Sequence, residues 1–150
     1  MKTNEDLHGL ALTYRGVVYP WQCDHMGHMN VMWYASKFDE ATWQLVSLMG
    51  VTPAYMRDHE RGMAAVEQNI RYKHELRPGD LLAIHSGLLE IKEKTIRFVH
   101  ELRNESTGEV AAVTVITGVH MDMKTRRACP FPEEIAARGG EMVIEYELGS

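Results

Sequence analysis

Residues 23–50 read CDHMGHMNVMWYASKFDEATWQLVSLMG and divide at Asn30 into an unusual loop and a long helix. From Asn30 onward Val31, Tyr34, Ala35, Phe38, Ala41, Leu45, Leu48 and Met49 recur at steps of three and four, while Lys37, Asp39, Glu40 and Gln44 fall mostly between them. Side chains at that spacing share a face, so the pattern predicts about five turns of helix with one apolar stripe. Asn30 is a favoured residue for the cap at its start, and Gly50 takes the left-handed conformation that ends a helix. Thr52-Pro53 predicts a short second helix to His59. The loop in front of the long helix collects a carboxylate (Asp24), two imidazoles (His25, His28), a flexible glycine (Gly27) and a capping amide (Asn30) where the helix dipole can meet a reacting group.

Past Gly62 the period changes from 3.6 to 2. Val66, Gln68, Ile70, Tyr72 and His74 fall on one face of a strand and Glu67, Asn69, Arg71 and Lys73 on the other, until Arg77-Pro78-Gly79-Asp80 turns the chain. Leu81–Ile91 and Thr95–Arg103 follow, joined by Lys92-Glu93-Lys94, and residues 104–108 (NESTG) make the next hairpin turn. Val110 to Met121 is apolar or small on both faces, as in a strand inside a sheet. Leu10 to Tyr19, ended by Pro20, supplies a strand ahead of the helix. The order predicts an α+β chain whose helix lies across the inner face of a five-stranded antiparallel sheet, since each has one apolar surface to hide. One helix cannot cover so long a sheet or its edges, so a second copy is expected, as a homodimer or a dimer of dimers.

A chain of 150 residues suits one domain, with a core over about 10–132 and a tail, 133–150, that Arg138-Gly139-Gly140 predicts to stray from that core. Lys and Arg number 16 against 21 Asp and Glu, and the net charge of −5 repels a phosphate backbone, which argues against a nucleic-acid partner. No run approaches the ~18 apolar residues of a membrane span. Cys23 and Cys129 make no disulfide framework and the opening MKTNEDLHGL lacks the apolar core of a leader, so a cytoplasmic setting is expected.

A strand followed by Asp24-x-x-x-His28-x-Asn30, a helix carrying Tyr34 and Phe38-Asp39-Glu40-Ala41, and Arg77-Pro78-Gly79-Asp80 opening the third strand come in an order that resembles the hotdog-fold acyl-CoA thioesterases of the 4-hydroxybenzoyl-CoA thioesterase type, over about Tyr14 to Pro132. The resemblance implies a hotdog fold, one long central helix wrapped by a five-stranded antiparallel sheet. It implies an acyl-CoA substrate hydrolysed to free acid and CoA, with no cofactor beyond the CoA that the substrate carries. It also implies the Val31 amide as the main oxyanion donor, and Lys92, Lys94 and Thr95 as the residues that meet the CoA phosphates, with a solubilising role for the hairpin lysines as the plainer alternative.

The residues themselves suit that chemistry. Thioester hydrolysis needs a donor for the oxyanion and a group that attacks or activates water. The first-turn amides near Asn30-Val31-Met32 supply the first, one such donor being worth about 3–4 kcal/mol in the transition state. Asp24 supplies the second, as base or as nucleophile, with the capping of a turn as the plainer alternative. Asn30 caps the helix; His28 reads equally as a loop support and as a group orienting water or the thioester. Cys23, Asp24, His25 and His28 lack the second ligand pair of a structural zinc site, and no metal is expected. Glu40, nearly three turns into the helix, reads as a helix-surface or interface residue, Trp33, Tyr34, Phe38 and Trp43 mainly as core or dimer contacts, and Met26, Met29 and Met32 as adaptable pocket walls. Two rivals share the fold: an enoyl-thioester hydratase or dehydratase, whose Asp-x-Asn-Pro-x-His segment the residues after Asp24 do not match, and a non-catalytic acyl-CoA binding module.

Overall fold

The computed structural model describes residues 9–148, so the reading of residues 1–8 as free of a leader lies outside the described residues. β1 (Ala11–Val17) runs through a single 3-10 turn (Pro20–Gln22) and the loop 23–30 into α1 (Val31–Met49), which α2 (Pro53–His59) follows. β2 (Arg61–Tyr72), β3 (Leu81–Ile91), β4 (Thr95–Asn104) and β5 (Val110–Asp122) come next, then a two-residue strand β6 (Arg127–Ala128) and α3 (Glu133–Met142). The strands pair antiparallel in the order β1-β3-β4-β5-β2, with β6 added to β5. β5 is therefore an interior strand, which explains why both its faces are apolar or small, and β1 and β2 are the edges.

α1 crosses the inner face of this sheet. Tyr34, Phe38 and Ala41 pack on Leu82, Ile84 and Leu102, and Leu45, Val46 and Met49 pack on Leu88, Phe98 and Ile116. Each large apolar side chain buried in this way contributes roughly 1.5–3 kcal/mol, far more than helix propensity supplies. The helix ends are set locally: Asn30 Oδ1 accepts from the Met32 amide at 3.0 Å, and Gly50 stops the helix at φ 107°.

Four features depart from the sequence reading, each through packing. A bulge between Ala65 and Glu67 turns Val66 out of the alternation. Lys37, on the polar side of the helical pattern, is buried with its Nζ donating to Tyr14 Oη at 3.3 Å, because β1 closes over that part of α1. The segment 133–142 does not stray from the core; it is α3, seated where Gly139 lets it approach so closely that a Cβ there would lie 2.6 Å from Ile91 Cδ1. Beyond α3 the chain crosses the outer sheet face, with the Ile144 amide bonded to the Leu88 carbonyl at 2.8 Å and Ile144 and Tyr146 packed beside Val99 and Val113.

One polar chain runs through the apolar interior. Thr13 donates to the Ile84 carbonyl, Ser86 bridges Thr13 and His100 Nδ1, and His100 Nε2 meets Thr42 Oγ1 at 2.8 Å. Burial pushes the His100 imidazole down to about 3, so it is neutral wherever the fold is intact. Among the described residues no helix is long and apolar enough to cross a membrane.

Candidate active site

The loop between β1 and α1 is a tight hairpin. A Cys23–Met29 bridge closes it, the Asp24 amide bonds to the His28 carbonyl at 3.2 Å, and the Gly27 amide bonds to the Asp24 carbonyl at 3.0 Å. Gly27 sits at φ 86°, a conformation that a side chain at this position would strain. The hairpin is anchored from both sides, by Met29 N to the Leu76 carbonyl at 2.7 Å and by Asn30 N to the carbonyl of buried Gln22 at 2.8 Å.

These bonds put the Asp24 carboxylate beside the start of α1. Its Oδ1 accepts from the Met26 amide at 2.9 Å and its Oδ2 from the Asn30 side-chain amide at 2.9 Å. The Met26 amide first, and the Asn30 amide after it, hold the carboxyl below the usual carboxylate range, and the neighbouring charge of His28 adds to the effect. Asn30 thus does two things with one side chain: its oxygen caps the helix and its nitrogen holds Asp24. With Met32 N bonded to Asn30 Oδ1 and Trp33 N to the Asn30 carbonyl, Val31 N–H is the first-turn amide left without an acceptor among the described residues. The Val31 side chain is exposed at this helix start, the end of a helix that favours negative charge.

His28 stands near Asp24 with Nε2 at 3.4 Å from Glu75 Oε1. The structure therefore gathers Asp24, His28, Asn30 and Val31 at one place, and adds Gln22, Glu75 and the Leu76 carbonyl, which no local sequence signal marks. Met29 is buried in the core rather than lining a pocket, whereas Met26 and Met32 are exposed at the mouth of the loop. Glu40 is exposed on α1, as read, and Cys23, His25 and their neighbours form no set of three side chains able to hold a metal ion among the described residues.

Lys92, Lys94 and Thr95 lie elsewhere. The Asp24 hairpin packs at the Leu76–Leu82 end of the sheet, and β3 then runs about 30 Å to Ile91 at ~3.3 Å per residue. Lys92 pairs with Glu90 at 3.6 Å, and its amide donates to the Thr95 carbonyl at 2.8 Å. Within one protomer this turn lies at the opposite end of β3 from the Asp24 hairpin.

A groove opens between α1 and the edge strand. Ala35, Asp39, Thr42, Trp43 and Val46 form its helix side, and Met63, Ala64, Ala65 and Gln68 of β2 face them. Ala35, Asp39 and Trp43 continue, at four-residue steps, the row on the helix surface that Val31 heads.

The model of the thioesterase-like superfamily matches residues 18–139, which include the hairpin, the helix and all four long strands after it. The chain belongs to this superfamily. Among its relatives, the betainyl-CoA thioesterase of Pseudomonas aeruginosa is 25% identical over 126 residues, 84% of this chain and 79% of that protein. The long-chain acyl-CoA thioesterase FadM of Escherichia coli is 28% identical over 123 residues, 82% of this chain and 92% of that protein. The L-carnitine dehydrogenase/betainyl-CoA thioesterase of Rhizobium meliloti is 30% identical over 115 residues, 77% of this chain, which spans only 23% of that longer protein. Of solved structures, the probable thioesterase YbaW of E. coli superposes with a TM-score of 0.73 at 26% identity, covering 87% of this chain and 97% of that one. The Staphylococcus aureus protein SAV2348, solved in complex with CoA, superposes with a TM-score of 0.84 at 18% identity, covering 93% of this chain and 90% of that one, a likeness of fold. The superfamily member has the hotdog fold and falls among thioester hydrolases, as its residues led us to expect.

Proposed function

We propose that this superfamily member hydrolyses acyl-CoA thioesters at the Asp24 hairpin. The observation that carries the reading is the shared tether: Asn30 fixes a carboxylate beside the one first-turn amide of α1 that has no acceptor among the described residues. Val31 N–H is aimed where an oxyanion can form, and Asp24 is the adjacent group able to react with the carbonyl carbon. A carboxyl held below its ordinary range is ionised near neutral pH, as a nucleophile must be, and weak as a base toward water.

In that scheme an Asp24 oxygen bonds to the thioester carbon and the carbonyl oxygen becomes an oxyanion held by Val31 N–H. Collapse breaks the C–S bond and releases CoA as thiolate, which takes a proton from solvent. Water then attacks the mixed anhydride, freeing the acid and restoring the Asp24 carboxylate. His28, held by Glu75, orients the incoming thioester and water. The acyl group lies along the groove of α1 and β2, and a second copy of the chain, added at the exposed β2 edge as a homodimer, roofs that groove and brings its Lys92–Thr95 turn toward the CoA phosphates. The relatives act on betainyl and long-chain acyl groups, so both belong in the first substrate panel.

The test is release of free thiol from a panel of acetyl-, betainyl-, benzoyl- and palmitoyl-CoA. Turnover well above the spontaneous rate on at least one member is expected; hydration products or tight binding without thiol release would refute hydrolysis. Single turnover in ¹⁸O-water tests the covalent route, because label in the enzyme carboxylate arises only when Asp24 has attacked the thioester and water has then added at the Asp24 carbon of the anhydride.

A further inference from the structure

The groove beside α1 carries one feature that hydrolysis alone does not use. Of the described residues that line it, Asp39 has the one ionisable side chain, and its carboxylate makes no hydrogen bond or ion pair among the described residues. Thr42, the nearest hydroxyl on the helix side, is occupied by His100 and the Phe38 carbonyl. The facing wall offers small and apolar residues, Ala64, Ala65 and Gly118 among them, and the Gln68 amide, but no basic group. Trp43 stands one turn beyond Asp39 on the same row, so a carboxylate and an aromatic side chain line one stretch of the groove.

We propose that this groove selects a compact acyl group bearing a fixed positive charge, recognised by the Asp39 carboxylate and the face of Trp43. The inference rests on the thioesterase reading above and names the substrate class of that site. A quaternary ammonium cannot donate hydrogen bonds, so it is recognised by charge and by an aromatic face, the two chemistries present here. Position agrees: Asp39 is eight residues from Val31, about 12 Å along the helix axis, and its side chain leans back toward the helix N-terminus. A thioester oxygen held about 3 Å from the Val31 amide, with its charge two bonds past the carbonyl carbon, falls within that span. A long fatty chain would have to pass Asp39 and strip water from a carboxylate to which it offers no partner, which costs binding.

The experiment compares trimethylammonioacetyl-CoA with tert-butylacetyl-CoA, which has the same shape and lacks only the charge. The wild-type protein is expected to prefer the cationic thioester in kcat/KM by roughly tenfold to a hundredfold, the range of a partly desolvated cation held by one ring and one carboxylate. Asp39→Asn is expected to lower that ratio at least tenfold, by losing rate on the charged thioester and gaining it on the neutral one, and Trp43→Leu to lower it in part. A wild-type enzyme that hydrolyses the neutral thioester equally well, or a ratio that Asp39→Asn leaves alone, overturns the proposal while leaving the hydrolase reading standing. Release of thiol from neither of these nor from palmitoyl-CoA overturns both.

Discussion

Replacing Asn30 separates the two tasks its side chain performs. The Oδ1 cap on Met32 N and the Nδ2 tether on Asp24 are each single contacts, at 3.0 and 2.9 Å. Serine caps a helix as well as asparagine but has no amide to reach Asp24; alanine does neither. Misplacing a reacting group by about 1 Å costs on the order of 100-fold, so loss of the tether should lower kcat/KM by roughly 10- to 100-fold if the bond serves the transition state. Loss of the cap costs about 1 kcal/mol, or roughly 2–4 °C of melting temperature for a chain of this size. Asn30→Ser should therefore melt close to wild type and lose most of its activity, while Asn30→Ala should lose the same activity and melt lower. Both should move the acid limb of the pH–rate profile upward, since the Asn30 bond is one of the causes that lower the Asp24 pKa. Thermal melts and thiol release on one preparation of each variant measure all of this. An Asn30→Ser protein with full activity, or one whose activity falls only as its stability does, would refute the dual role.

Other outcomes follow from the same contacts. His100 has a folded-state pKa of about 3 against ~6.5 unfolded, so the unfolded state binds more protons between those values; its contribution is complete above pH 6.5 and is lost progressively as pH falls, by about 1.4 kcal/mol at pH 5.5. Urea unfolding from pH 7 to 4 should show that slope and His100→Gln should flatten it; equal slopes would contradict the burial. In α3, Gly140→Ala meets nothing within 4 Å and should stabilise by about 0.5–1 kcal/mol, whereas Gly139→Val runs into Ile91 and Met49 and should lower the melting temperature by several degrees. The double variant Lys92→Ala/Lys94→Ala should raise KM for acyl-CoA and weaken its salt dependence with kcat kept, and an unchanged KM would leave those lysines with a solvating role.

Period decided the fold from the sequence. The 3.6-residue stripe of 31–49 and the two-residue alternation of the four strands after Gly62 each reflect one buried face, and burial of one face is legible in a linear pattern. What escaped depends on three-dimensional approach. The Gly139-Gly140 pair reads as a break, yet the missing Cβ at Gly139 is what lets α3 dock; Lys37 reads as solvated because the closure of β1 over it is a non-local event. At the site, Asp24, His28 and Asn30 stood out by residue type and spacing. Glu75, Gln22 and the Leu76 carbonyl reach the same loop from other parts of the chain, two of these contacts through backbone carbonyls that no residue type announces. In the linear pattern Asp39 reads as one polar residue on a helix face, since the wall opposite it belongs to β2.

Hydrolysis at this hairpin depends on the Asp24 carboxylate, and the most direct measurement is kcat for Asp24→Asn on whichever acyl-CoA the wild type hydrolyses fastest, taken with its melting temperature. Asparagine keeps the shape and an oxygen for the Met26 amide but cannot attack a thioester or take a proton from water. A loss of two or more orders of magnitude with a melting temperature near wild type is the predicted result; an Asp24→Asn protein that releases CoA at the wild-type rate would contradict it.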